Sequence, residues 1–269
     1  MTAAVLIAVF VVILLMLPLW PLCIVAIGVI CLASWEYYQM VLPKKGIAEK
    51  IFYLLLAAIV PMAVCSGDTA LVTGALFISF FGISFLYLFR IRCLGDQFRD
   101  MACAFTGILY ISFLLSHFLL IRNMEHGSAW LFLILIVTYF GDGAAYFAGT
   151  YLGKHALYAL LSPKKTIEGA FGGLLGSVLA AYVCKYTFLR HIGTSDILWI
   201  ALALGVSGQI GDMVESLIKR SVDVKDSGSL LPGHGGFLDR IDSILFAGPV
   251  GYYLALYITL RMLHVMSRV

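Results

Sequence analysis

Between Ser216 and Asp242 the chain carries Lys219, Arg220, Lys225 and Arg240, four carboxylates at Asp223, Asp226, Asp239 and Asp242, and one histidine, His234, with glycines interspersed. Ionisable residues set among apolar segments are costly near a bilayer and mark a functional site by default. Charges of both signs separated by glycine suit a metal ion held beside a phosphate. Asp212, Ser216 and Lys219 recur at helical spacing and share one face, with Glu215 placed to pair with Lys219 one turn on. The competing explanation is a buried ion pair that only stabilises packing. Against it, Asp212 sits deeper than Glu215 and Lys219 and has no cation at helical spacing.

Asp239 and Asp242, three residues apart, would share a face at the start of the last span. Carboxylates converging there with Asp212 would form a hard-oxygen site suited to Mg2+. N-terminal capping of that helix is the alternative role for the two acids. In Pro-Gly-His234-Gly-Gly the histidine could donate to a phosphate or move a proton. Gly235 and Gly236 would let backbone N–H groups approach a ligand closely. The alternative is a loop histidine with no role. Lys164 and Lys165 stand just before a membrane helix with Thr166 as its cap, an arrangement able to bind phosphate or to anchor the chain at lipid headgroups. Asp142 is an isolated acid inside a span and requires a metal, a cation or a hydroxyl as partner. The stripe Gly141, Ala145, Gly149, Gly153 and the pairs Gly169–Gly173 and Gly172–Gly176 read as surfaces for close helix packing.

Several other chemistries have no motif in this chain. It contains no GxxxxGK[ST] loop, HExxH helix or GxSxG elbow. Its six cysteines (23, 31, 65, 93, 103 and 184) include no CxxC pair, so neither a zinc site nor a disulfide framework is indicated. Clustered carboxylates, lysines and glycine amides favour metal-assisted phosphoryl or nucleotidyl transfer, in which catalysis is mainly positioning and charge neutralisation.

The elements that must position these residues are membrane helices. The chain has 269 residues, 62% hydrophobic and 12% charged, against about 25% charged in soluble domains. Its net charge of +3 gives no reason to expect nucleic acid and fits modest attraction to anionic lipid. A span needs about 20 apolar residues, and lipid satisfies no open strand edge. The expected fold is therefore all-α, a polytopic integral membrane protein of about nine transmembrane helices, near 3–17, 19–39, 49–66, 70–90, 101–121, 128–151, 167–187, 194–218 and 243–263. The first stretch lacks a positive n-region and a cleavage site and reads as a retained span. Of the 18 lysines and arginines, 13 fall in the loops 40–50, 90–100, 152–166 and 219–242, which the positive-inside rule places in the cytoplasm. No internal repeat is visible, which argues against the inverted-repeat design of many transporters. A single membrane domain, 1–269, is expected.

The pattern Ser216-x2-Lys219-Arg220-x4-Lys225-Asp226-x-Gly228-x2-Leu231-Pro232-x-His234-Gly-Gly-Phe-x-Asp239-Arg240-x-Asp242 resembles the signature of the phosphatidate cytidylyltransferases, or CDP-diacylglycerol synthases. Asp142-x2-Ala145-Tyr146-x2-Gly149-x3-Gly153-Lys154 and Ser162-Pro-Lys-Lys-Thr-x-Glu168-Gly are similar to the same family. The resemblance covers about 138–250; residues 1–127 would be variable spans and 128–269 the catalytic part. It implies a polytopic inner-membrane enzyme using CTP, phosphatidate and Mg2+; the short loops and the lack of a targeting peptide point to a bacterium, and the carboxylate count leaves room for a second, monovalent cation such as K+. Asp212 and Asp239, with Asp142 and Asp242, would be metal ligands. Ser216, Lys219, Arg220, Lys225, Asp226, His234 and Arg240 would be catalytic. Lys164, Lys165, Thr166, Gly235 and Gly236 would bind substrate. A CTP-dependent lipid kinase and a multi-span transporter are the competing functions, and the small-residue helix faces also admit a homodimer.

Overall fold

The computed structural model describes residues 18–90, 94–230 and 235–266. Among them, eight helices are long and apolar enough to cross a membrane. The span expected at 3–17 and the side chain of His234 lie outside the described residues. Helix α1 (Leu19–Val41) begins behind Pro18, and Pro21 falls in its first turn, where backbone N–H groups have no helical partner to lose. Then come α2 (Ile47–Cys65) and α3 (Thr69–Phe89), the latter capped by Asp68, which accepts from Ala70 N at 2.8 Å. Helix α4 (Leu94–Gly107) passes through a π-helical stretch, Ile108–Phe113, into α5 (Leu114–Arg122). Helix α6 (Gly127–Leu152) is followed by a short antiparallel hairpin of β1 (Ala156–Tyr158) and β2 (Ser162–Thr166), expected from the sequence only as a loop. Helices α7 (Ile167–Thr187) and α8 (Thr194–Ser221), a 3-10 turn at Leu238–Arg240, and α9 (Asp242–Met266) complete the chain.

The described residues form two compact units. One joins the chain up to Leu120 with Ser221–Arg240; the other joins Ile121–Arg220 with the residues from Ile241 on. In the first unit, buried tyrosines tie the helices together, because a phenol hydroxyl away from water needs a partner. Tyr37 Oη donates to Cys103 O at 3.1 Å, Tyr38 Oη to Ala104 O at 2.9 Å and Tyr53 Oη to Tyr87 Oη at 3.0 Å. Gly107 provides the space for this, since a Cβ there would stand 2.7 Å from the Tyr37 ring and 2.8 Å from that of Tyr38. Ser112, inside the π stretch, donates to Ala57 O at 2.5 Å.

In the second unit the small-residue stripes do what their spacing predicts. Gly141, Gly149 and Gly153 of α6 and its end face Gly169, Gly172, Gly173 and Gly176 of α7. A Cβ on Gly169 would come within 2.9 Å of Ala145 O, and one on Gly172 would collide with the Ala148 Cβ. The two backbones can approach only because these side chains are missing. Gly→Ala within a helix ordinarily gains about 1 kcal/mol of propensity. At Gly172 the collision should reverse that sign, since overpacking costs about 1–3 kcal/mol. Gly28, with nothing within 4 Å of its would-be Cβ, serves as the control. Thermal melts in detergent should show Gly172→Ala below and Gly28→Ala at or above the parent; equal shifts would refute close packing at Gly172.

Candidate active site

In the second unit, the end of α6, the hairpin, the start of α7 and the middle of α8 enclose a cavity of about 630 Å3. Its walls include Asp142, Lys164, Lys165, Thr166, Gln209 and Asp212. Thr166 is the N-cap of α7, its hydroxyl accepting from Gly169 N at 3.1 Å. This is the capping role expected of it, and it aims the first turn of the helix at the cavity. Glu168, on that turn, accepts from Lys154 N at 3.1 Å and His155 N at 3.3 Å and meets His155 Nδ1 at 2.6 Å. These bonds fasten the chain leaving α6 onto the start of α7. Arg220, at the end of α8, donates through Nε to Leu161 O at 3.3 Å and so braces the hairpin.

The central contact is an ion pair: Lys165 Nζ stands 2.6 Å from Asp212 Oδ2, both side chains about one-third exposed. Asp212 has no cation at helical spacing, and the hairpin supplies one from elsewhere in the chain. Asp142 lies within hydrogen-bonding reach of the Ser243 side chain and close enough to Asp212 and Lys165 for their charges to interact. Asp242 faces Asp212 and Glu215 in the same way. Glu215 is fully buried and pairs with Lys219 at 3.5 Å, as the i, i+4 spacing predicts. Ser216 lies half-buried on the intervening turn. Four acids thus crowd one region of the second unit, and low dielectric makes such crowding unfavourable without cations.

The signature loop belongs to the first unit. Asp239 is in the 3-10 turn, and α9 begins only at Asp242. The two acids therefore do not share a face of one α-helix, as their spacing had suggested. Asp242 Oδ1 accepts from Ser243 N at 2.7 Å, a bond to the next residue and not to the N2 or N3 N–H that a helix cap would take. Asp239 Oδ2 accepts from Ser227 N and from Gly236 N, each at 3.0 Å, closing the loop across its base. Gly235 takes φ +80°, and the oxygens of Asp239 and Asp226 flank it at 3.4 and 3.9 Å from where a Cβ would stand. Lys225, Asp226 and Arg240 are exposed.

Among the described residues, no three His, Cys, Asp or Glu side chains converge as a preformed metal centre. The donor set nevertheless fits Mg2+, which usually takes one or two carboxylates and completes its shell with water and substrate phosphate. Two polar residues went unnoticed in the sequence. Gln209 lines the cavity and donates through Nε2 to Ala170 O at 3.0 Å; its signal was an amide one turn before Asp212 in an apolar span. Glu36 of α1 is buried and reaches the signature loop; its signal was a lone acid near the end of a span.

The model of the cytidylyltransferase family matches residues 1–258 of this chain. The chain belongs to that family. A phosphatidate cytidylyltransferase of Bacillus subtilis is 41% identical over 158 residues, 58% of this chain and 59% of that protein. Another, from Staphylococcus epidermidis, is 37% identical over 177 residues, 66% of each chain. A third, from Thermotoga maritima, is 33% identical over 238 residues, 84% of each. The match thus spans less than two thirds of the first two relatives, 59% and 66%, and most of the third. Membership agrees with the resemblance carried by the signature loop and with a multi-pass membrane protein.

The Lys165–Asp212 pair leads to a measurable coupling. Groups in direct contact are non-additive by about 0.5–3 kcal/mol. In thermal unfolding, the loss in the double variant Lys165→Met, Asp212→Asn should be smaller than the sum of the two single effects, whichever sign relief of acid crowding gives Asp212→Asn alone. Strict additivity would show that the two charges do not meet.

Proposed function

We propose that the protein transfers the cytidylyl group of CTP to phosphatidate, forming CDP-diacylglycerol and pyrophosphate. The observation that carries this reading is the cavity whose walls hold Asp142 and Asp212 beside Lys164, Lys165 and the Thr166 helix terminus. Hard oxygen donors and phosphate-binding cations stand side by side there, inside a membrane protein of the cytidylyltransferase family. The names of the relatives supply the substrates, and their bacterial sources together with the cation-rich loops favour an inner membrane with the site facing the cytoplasm.

In the proposed reaction an oxygen of the phosphatidate phosphate forms a bond to the α-phosphorus of CTP. The bond from that phosphorus to the oxygen bridging the β-phosphate breaks, and its electron pair leaves with pyrophosphate. Mg2+, held by Asp212 with Asp142 and Asp242, would polarise the phosphate oxygens and neutralise charge on the leaving group. Lys164, exposed at the cavity wall, would meet an incoming phosphate. Lys165 would exchange Asp212 for a phosphate oxygen, so the resting ion pair keeps both groups neutralised until substrate arrives. The helix terminus at Thr166 adds a positive dipole end. Lys219 and Arg220 would add positive charge, Arg220 while it holds the hairpin. In the first unit, Asp239 would keep ordered the signature loop that carries Lys225 and Arg240. A monovalent cation such as K+ is proposed as a second ion.

Purified protein in detergent should release pyrophosphate only when CTP, phosphatidate and Mg2+ are all present, and chelation should stop release until Mg2+ is restored. Release of CDP in its place would identify a lipid kinase. Asp212→Asn and Asp239→Asn should each lower turnover by roughly a hundredfold, the scale of losing one preorganised electrostatic group, while still eluting as monodisperse folded protein. An Asp212→Asn variant that fails to fold would return that acid to a structural role. Lys219→Ala should cost more than Lys44→Ala, since Lys219 is only 12% exposed beside Glu215 whereas Lys44 lies in an exposed turn; equal losses would remove Lys219 from the site.

A further inference from the structure

The signature loop is held from outside its own sequence by Glu36. This side chain is 3% exposed, near the end of α1. Its Oε2 accepts from Leu238 N at 2.9 Å and from Ser227 Oγ at 3.3 Å. Those two donors lie toward opposite ends of the signature loop: Ser227 follows Lys225 and Asp226, and Leu238 precedes Asp239 and Arg240. The loop's own glycines are shaped around the carboxylate. A Cβ at Gly228 would stand 2.6 Å from Glu36 Oε1, and one at Gly236 would stand 2.9 Å from Oε2 and collide with Ser227 Oγ. The neighbours of Glu36 fix its backbone. Tyr37 and Tyr38 are almost fully buried, and their hydroxyls are bonded to the α4 carbonyls of Cys103 and Ala104. Oε1 is buried with no hydrogen-bond partner among the described residues. Burying a carboxylate is expensive, and packing alone would be served better by an apolar residue. The acid therefore has a task beyond filling space.

We propose that Glu36 is a positioning residue, a clamp in the N-terminal spans that closes the ends of the signature loop and thereby sets Asp226 and Asp239. Together with Asp239 Oδ2, which takes Ser227 N and Gly236 N, it makes a double carboxylate closure across one turn. Glu36 acts through the acceptor oxygen Oε2 and touches no reacting atom. Only the activity arm of the test rests on the proposed cytidylyl transfer.

The experiment compares full-length wild type, Glu36→Ala and Glu36→Gln in detergent by amide hydrogen exchange and by pyrophosphate release with CTP, phosphatidate and Mg2+. In Glu36→Ala, exchange of peptides covering 225–240 should rise by about tenfold or more, the size expected for losing a hydrogen bond to a charged acceptor, with the helices of the second unit unchanged. The turnover number should fall by a similar factor per folded molecule. Glu36→Gln keeps an acceptor at the same place and should restore protection and most of the turnover. Ser227→Ala added to Glu36→Ala should cost nothing further. Unchanged exchange in Glu36→Ala would overturn the clamp, as would activity lost only in step with folded protein. Failure of Gln to rescue would overturn the role of the acceptor oxygen. A wild type that releases no pyrophosphate would sink the proposed reaction yet leave the exchange comparison able to decide the clamp.

Discussion

A carboxylate carried into an apolar helix bundle must find a cation, a proton or a ring of donors, because the interior neither solvates charge nor screens it. The second unit of this protein is organised around that constraint. Asp142, Asp212, Glu215 and Asp242 come from three helices, and the cations that answer them come from a hairpin and from one turn of α8. Neutralising them within the protein would take more positive charge than Lys165 and Lys219 carry. A region built in this way is prepared for ions and charged substrates as an ordinary packed core is not.

The close backbones of α6 and α7 serve the same end. Glycines facing alanines and glycines bring Asp142, the Thr166 terminus and the hairpin lysines to a single cavity. Bulkier stripes would separate the helices and leave the hairpin too far from α8 for Lys165 to reach Asp212. The hairpin is fixed at both sides, by Glu168 at its base and by Arg220 at its tip. Close packing, capping and ion pairing thus converge on the placement of two lysines.

Much of this was legible beforehand because membrane constraints are severe. Spans read at 167–187 and 194–218 appear as Ile167–Thr187 and Thr194–Ser221. Thr166 was recognisable as a cap from its place before an apolar run, and the Glu215–Lys219 pair from its spacing. The pairing of Asp212 with Lys165 was not, because helical periodicity reports neighbours within one element and says nothing about a lysine on a strand far away in the chain. Asp239 and Asp242 misled for a related reason: a three-residue spacing implies a shared face only where the helix already runs, and α9 starts at Asp242. The strands were hidden since three to five residues carry too little alternation to be told from a loop. Glu36 was overlooked as an acid near a span end, a position where contact with water would satisfy it.

The π-helical stretch at Ile108–Phe113 has a consequence for how such a chain can change over time. A π turn is an α turn that has accepted one extra residue, and each residue in an α-helix corresponds to roughly 100° of rotation. Deleting a single residue there would let the segment relax to α geometry and turn the start of α5 by that angle. Leu115, Phe118 and Leu119, now buried on α5, would swing away from their present face. Point substitutions at this stretch explore side chains, whereas a one-codon gain or loss reorients the helix that follows it.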